Sequence, residues 1–204
     1  ACGKEQKVKE LEELEQGEQN ETTSGKVIVA YVTSWTTVMP NPDRITHINY
    51  AFGGVAKDFS TLEIDNVSRL ESLVKLKSKS PKLKICLSVG GWGRGNFSEM
   101  AASDEYRKAF AADCAKKVKS LNIDGIDIDW EFPTNSSAGI SASPDDKANF
   151  TLLMKDLREA LGKGKLLTLA TVCSAQYIDF NGILPYIDFV NIMAYDMASA
   201  PYHN

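Results

Sequence analysis

Six short runs of apolar residues, separated by stretches of helical character, constrain this chain more than any other feature. They are KVIVAYVTSW (26–35), HINYAFG (47–53), KICLSVGG (84–91), GIDIDWEF (125–132), LLTLATV (166–172) and FVNIMAYD (189–196). Most are near-continuous in Val, Ile, Leu and aromatic residues, the pattern of parallel strands covered on both faces. Helix signals lie between them. Asp65 and Asn66 precede Val67, Leu70 and Val74 at i, i+3 and i+7. Ser103 is placed to cap a helix presenting Tyr106, Phe110, Cys114, Val118 and Leu121. Ser143-Pro144-Asp145-Asp146 reads as a helix start, with proline in the first turn and acids near the dipole. Phe150, Leu153, Met154, Leu157 and Leu161 then form a buried stripe, and Gly162 ends it. Repeated strand–helix units with right-handed crossovers build either a doubly wound sheet or a barrel. Periodicity alone does not choose between them.

The fourth run narrows the choice. Side chains alternate along a strand, so Asp127, Asp129 and Glu131 project from one face at intervals of roughly 6.5–7 Å. Ile126, Ile128 and Trp130 project from the other, where helices cover them. Asp124 has the opposite parity and belongs at the strand's start, in a structural role. Three carboxyl groups in a row on a buried face are expensive, because desolvation and mutual repulsion both oppose ionisation. Surface acids on an edge strand are excluded by the apolar flanks. An EF-hand loop is excluded because Ile, Ile and Trp stand where polar residues and a glycine are needed. Closely spaced carboxyls do have a chemical use. Their pKa values separate, so that one stays protonated and acts as a general acid toward a leaving-group oxygen while its neighbour is ionised. In a barrel the C-terminal strand ends carry catalysis, which points to Glu131.

At this point the chain resembles a known family. DGIDIDWEFP is similar to the DxxDxDxE signature of glycoside hydrolase family 18, and four further motifs agree with it in order. Tyr31-Val-Thr-Ser-Trp35 resembles its first-strand YxxxW, and Asn49-Tyr-Ala-Phe52 its second-strand counterpart. Ser88-Val-Gly90-Gly91-Trp92 resembles SxGG of the third strand, and Met193-Ala-Tyr195-Asp196 resembles MxYD of the sixth. The resemblance implies a (β/α)8 TIM barrel with about the first six βα units in this chain. It implies retaining hydrolysis of β-1,4-linked N-acetylglucosamine in chitin or chitooligosaccharides. Glu131 would be the acid/base. Asp129 would orient the substrate's 2-acetamido group and stabilise the oxazolinium ion it forms, and Asp127 would share a proton with Asp129. Tyr195 and Asp196 would bind the acetamido group, with Met193, Tyr31, Phe52 and Trp92 lining the subsite. Ser88, Gly90 and Gly91 are expected to be structural. No cofactor or metal is expected, the only histidines being His47 and His203. Two other readings share the fold: an endo-β-N-acetylglucosaminidase acting on N-glycan cores, and a non-catalytic chitin-binding lectin. Such lectins lose the acid, whereas Glu131 and all three aspartates are present. Trp130 and the first- and sixth-strand motifs favour chitin.

Charge and cysteine placement set the remaining expectations. Residues 1–24 hold three Lys and seven Glu, which account for the whole net charge of −4 and leave a formally neutral body. Such a body lacks the basic field that nucleic acid binding requires and suits a neutral polysaccharide. No run approaches the roughly 18 apolar residues of a membrane span. Residues 1–24 read as a flexible charged tether, with residues 25–204 as the partial barrel domain. Ala-Cys2-Gly before that tether resembles the end of a processed bacterial lipoprotein signal, which would make Cys2 a lipidation site and the protein extracytoplasmic and membrane-anchored, or secreted. Cys86 and Cys173 in predicted strands and Cys114 in a predicted helix are expected to be buried, free and structural. A closed barrel needs eight strands, so the first and sixth runs are expected to present bare edges. The eighth-strand Trp that the family places under its catalytic subsite has no counterpart here. The 204-residue chain alone is therefore expected to be inactive and to aggregate, and the full-length protein to be a monomer.

Overall fold

Six parallel strands form one curled sheet in the computed structural model of the protein, which describes residues 25–196. Cys2, the tether expected over 1–24 and residues 197–204 lie outside the described residues. In chain order the strands are β1 (Val29–Thr33), β2 (His47–Val55), β3 (Leu62–Ile64), β4 (Lys84–Gly90), β5 (Gly125–Asp129), β6 (Leu166–Thr171) and β7 (Phe189–Ile192). The sheet order is β1-β2-β4-β5-β6-β7, every neighbouring pair parallel. This is a half-barrel of about six βα units, as the family resemblance implies and the alternating pattern alone does not decide. Among the described residues β1 and β7 each pair along one edge only.

The short β3, antiparallel to β2, is absent from the sequence reading. Leu62-Glu63-Ile64 has too little pattern to be read as a strand, and tertiary contacts make it one. The Leu62 N–H donates to Asp113 Oδ2 at 2.8 Å, and Lys117 Nζ donates to the Leu62 carbonyl.

The helices are α1 (Val67–Val74), α2 (Phe97–Ala102), α3 (Asp104–Ser120), α4 (Asp146–Leu161) and α5 (Phe180–Ile183). They cover the outer face of the sheet. Ile48, Tyr50, Ile85, Leu87, Ile126, Ile128 and Leu167 meet Leu70, Phe110, Phe150, Leu153 and Leu157 in one core. Trp130 stacks on Phe97 with centroids 5.3 Å apart, sealing the outer side of the acidic run. Asp124 sits at the start of β5, where it accepts from Lys77 Nζ and from the Ile85 N–H, both at 2.8 Å.

Several expectations need correction. Cys173 is exposed in the loop after β6 rather than buried in a strand, while Cys86 and Cys114 are buried. Val67 and Tyr106 face solvent; the buried side of α1 is Arg69, Leu70 and Leu73. The helix expected from Ser143 starts at Asp146, and Asp146 is itself buried. The strands also end earlier than their apolar runs. Gly90 adopts φ +124, which closes the β4–β5 ladder at Asp129. Glu131, Met193, Tyr195 and Asp196 therefore stand just beyond the C-terminal strand ends.

Candidate active site

The inner face of the half-barrel gathers polar side chains from β1, β4, β6 and β7 around Asp127 of β5. Asp127 is fully buried and accepts four hydrogen bonds. Tyr31 Oη of β1 and Ser88 Oγ of β4 donate to its Oδ2 at 2.8 and 2.9 Å. Thr168 Oγ1 of β6 and Asn191 Nδ2 of β7 donate to Oδ1 at 2.6 and 3.2 Å. Burial raises the Asp127 pKa above the ordinary carboxylate range, and these four donors oppose the shift. Burial first, and then the charge of Asp127, also raise the proton affinity of the Tyr31 phenol, so it stays a donor.

Asp129 is one step along the same face with a different environment. It is 5 % exposed, and its Oδ1 has no hydrogen-bond partner. Burial first, then the neighbouring Glu131 and Asp127 charges, lift its pKa to about 8. Of the two aspartates, Asp127 has the donors that stabilise an anion and Asp129 does not, so the proton resides on Asp129 at neutral pH. Glu131 is half-buried at the cleft mouth. Burial and then the charge of Asp196 raise its pKa, a shift toward the protonated form that a general acid requires.

The cleft above these groups holds about 290 Å³ and is lined by Tyr31, Phe52, Asp129, Glu131, Met193 and Tyr195 among others. That is near the lower bound of the roughly 300–1,000 Å³ usual for ligand sites. Six of the residues expected at the site thus come together around one cleft. Asp196 is exposed, at φ +55, and adjoins them through its charge on Glu131. Trp92 is not among the lining residues. It is 63 % exposed and meets Phe132 edge-on at 6.3 Å.

The glycines of β4 have steric reasons. A side chain at Gly90 would place Cβ 2.0 Å from the Asp129 carbonyl oxygen, and one at Gly91 would meet the Phe52 ring at 2.9 Å. The Gly91 N–H donates to the same Asp129 carbonyl at 2.8 Å. Gly90 therefore lets β4 approach the backbone that carries Asp129, and Gly91, just past β4, leaves room for the Phe52 ring.

Sequence reasoning missed Thr168 and Asn191, half of the ligation of Asp127, and the lining roles of Trp35 and Thr33. A signal existed. Thr168 and Asn191 are polar residues inside apolar runs, as Ser88 is, and Thr168 is the register partner of Asp127. Among the described residues no group of three or more His, Cys, Asp or Glu is arranged to hold a metal.

Comparisons with known proteins bear on the fold and the family. The family described as glycosyl hydrolases family 18 matches residues 27–203. A relative from Drosophila melanogaster, probable chitinase 2, is 33% identical over 200 residues, covering 84% of this chain and 40% of that protein. The chitinase domain of the spore coat protein CotE from Clostridium difficile superposes with a TM-score of 0.82 at 30% identity, over 87% of this chain and 53% of that one. A family 18 N-acetylglucosaminidase from Paenibacillus barengoltzii gives 0.78 at 40% identity, over 84% and 54%. The chain spans less than half the length of the curated relatives it matches.

Proposed function

This chain belongs to glycosyl hydrolase family 18, and from that premise we propose that the protein hydrolyses β-1,4-linked N-acetylglucosamine in chitin or chitooligosaccharides. Glu131 protonates the leaving glycosidic oxygen. The substrate's own acetamido oxygen attacks C1, which separates this scheme from glycosidases that use two enzymic carboxyl groups. Asp129 turns its free Oδ1 to the acetamido group and stabilises the developing oxazolinium charge. Asp127, held by its four donors, takes up the proton that Asp129 gives up as that charge forms. Water activated by Glu131 then opens the oxazolinium from the opposite face, so the anomeric configuration is retained.

The observation that carries this reading is the unpartnered, buried Oδ1 of Asp129 between the liganded Asp127 and Glu131 at the cleft mouth. A structural carboxyl would be satisfied; Asp129 instead lines the cleft with one oxygen unpartnered, as a carboxyl reserved for a substrate does.

The test is incubation of the full-length protein with chitin oligosaccharides and, separately, with an N-glycosylated protein. Cleavage of the oligosaccharides alone is expected, with the β-anomer appearing first by rapid NMR. Cleavage of the glycoprotein alone would move the substrate to N-glycan cores, and an α-anomer first would overturn the mechanism. Glu131→Gln should lower kcat by at least about 100-fold while leaving oligosaccharide binding intact, since it removes the proton donor isosterically.

A further inference from the structure

Resting on the role of Glu131 as proton donor, we propose that Asp146 is its positioning residue, a buried carboxylate that holds the backbone just after Glu131. Asp146 begins α4, is fully buried, and has no Lys or Arg paired with it among the described residues. Its Oδ1 accepts from Ser98 Oγ at 2.7 Å. Its Oδ2 accepts from the Ser143 N–H at 2.8 Å and from the Thr134 N–H at 3.1 Å. Capping α4 explains neither the Ser98 nor the Thr134 bond, because both partners lie outside that helix.

Thr134 shows why such an anchor is needed. It is three residues past Glu131 and adopts φ +66, a left-handed conformation that a β-branched residue takes only when its surroundings impose it. The Thr134 N–H is held by Asp146. The other side of the segment is held by aromatic contact: Phe132 stacks on Tyr177 at 4.8 Å and 8°, and Asn135 Nδ2 donates to Tyr177 Oη at 2.9 Å. Glu131 stands past the end of β5, outside the sheet's hydrogen bonds, so this doubly held segment fixes where its carboxyl points. A small displacement of a reacting group costs rate far more than it costs binding.

The test uses the full-length protein with Asp146→Ala and Asp146→Asn. Asparagine keeps an oxygen for the two N–H groups and can donate to Ser98 Oγ, but loses the charge that strengthens those bonds. Expected kcat losses are about 10- to 100-fold for alanine and smaller for asparagine, with KM changed less than about twofold. Thr134→Gly, which removes the left-handed penalty, should recover several-fold of the lost kcat in the alanine background. Hydrogen exchange gives a readout that needs no substrate. The amides of 131, 132, 134 and 135 should exchange at least about 10-fold faster in both variants, with the strands and α3 unchanged. Should the alanine protein fail to fold, the asparagine protein carries both measurements. Unchanged exchange at 131–135, exchange that accelerates throughout the molecule, or a loss residing in KM would each overturn the proposal. A wild-type protein that cleaves no N-acetylglucosamine linkage would instead sink the functional reading, with the exchange result still deciding the role of Asp146.

Discussion

The two aspartates of the inner face differ in one respect, the number of donors around them, and that difference sets their protonation. Asp127 has four and Asp129 none on its Oδ1. A carboxyl whose folded pKa is raised binds its proton more tightly in the native state than in the unfolded chain. Its contribution to stability is therefore complete below the unfolded pKa and is lost as pH rises through the folded one. For Asp129 the window runs from the ordinary value near 3.8 to about 8. Asp129→Asn should flatten the fall in Tm across that window and raise Tm at pH 8 relative to wild type. A residual slope from Asp127 and Glu131, raised in the same direction, should persist. Calorimetric scans of both proteins from pH 4 to 9 check this, and parallel pH profiles would refute it. The same substitution should cripple turnover, because an amide does not supply the charge that an oxazolinium needs. Gly90→Ala should be severe for a steric reason, its Cβ meeting the Asp129 carbonyl at 2.0 Å at a left-handed residue. A loss of about 3 kcal/mol or more in denaturant unfolding is expected.

At the scale of elements, α3 and α4 are joined by a charge pair within their packed interface. Arg107 Nε donates to Asp156 Oδ2 at 3.0 Å, and both side chains are under 10 % exposed. Both terminal nitrogens donate as well, Nη1 to the Ala101 carbonyl at 2.7 Å and Nη2 to Asp104 Oδ1 at 3.1 Å. Asp156→Ala leaves a buried cation short of its counter-charge and should cost about 3–5 kcal/mol. Replacing the pair together, Arg107→Met with Asp156→Leu, should cost less than the single change, because no charge is then left unpaired. Urea unfolding of the two variants decides the order. A double variant weaker than the single one would show that the pair contributes more than its desolvation takes away.

At the scale of the whole molecule, the sheet curls without closing, and β1 and β7 leave one edge each unpaired among the described residues. Apolar side chains accompany those edges: Val27 and Ile28 lead into β1, and Ile192 ends β7, all at least 40 % exposed. Unpaired strand edges bordered by apolar surface are templates for pairing with another chain. The 204-residue chain expressed alone is therefore expected to self-associate as its concentration rises, which sedimentation velocity would show. A concentration-independent monomer would contradict this.

The sequence by itself determined the parallel α/β architecture, the strand order along the chain and the placing of Asp127 and Asp129 on one face of β5, with Glu131 next in line just past its end. These follow from local rules: continuous apolar runs mark doubly covered strands, and a period of two assigns faces. The family motifs also located Tyr31, Phe52, Met193 and Tyr195, which the fold brings to one cleft. Tertiary structure decided what local rules do not reach. Whether Asp127 is liganded depends on Thr168 and Asn191, 41 and 64 residues away, meeting it across parallel strands. The edge strand β3 exists because Asp113 and Lys117 hold its backbone. Cys173 lies outside a strand because β6 ends at Thr171, and Asp146 is buried because Ser98 and Thr134 converge on it. For Asp127, β3 and Asp146 the deciding energy is a hydrogen bond between residues distant in sequence, and the chain must fold before it exists.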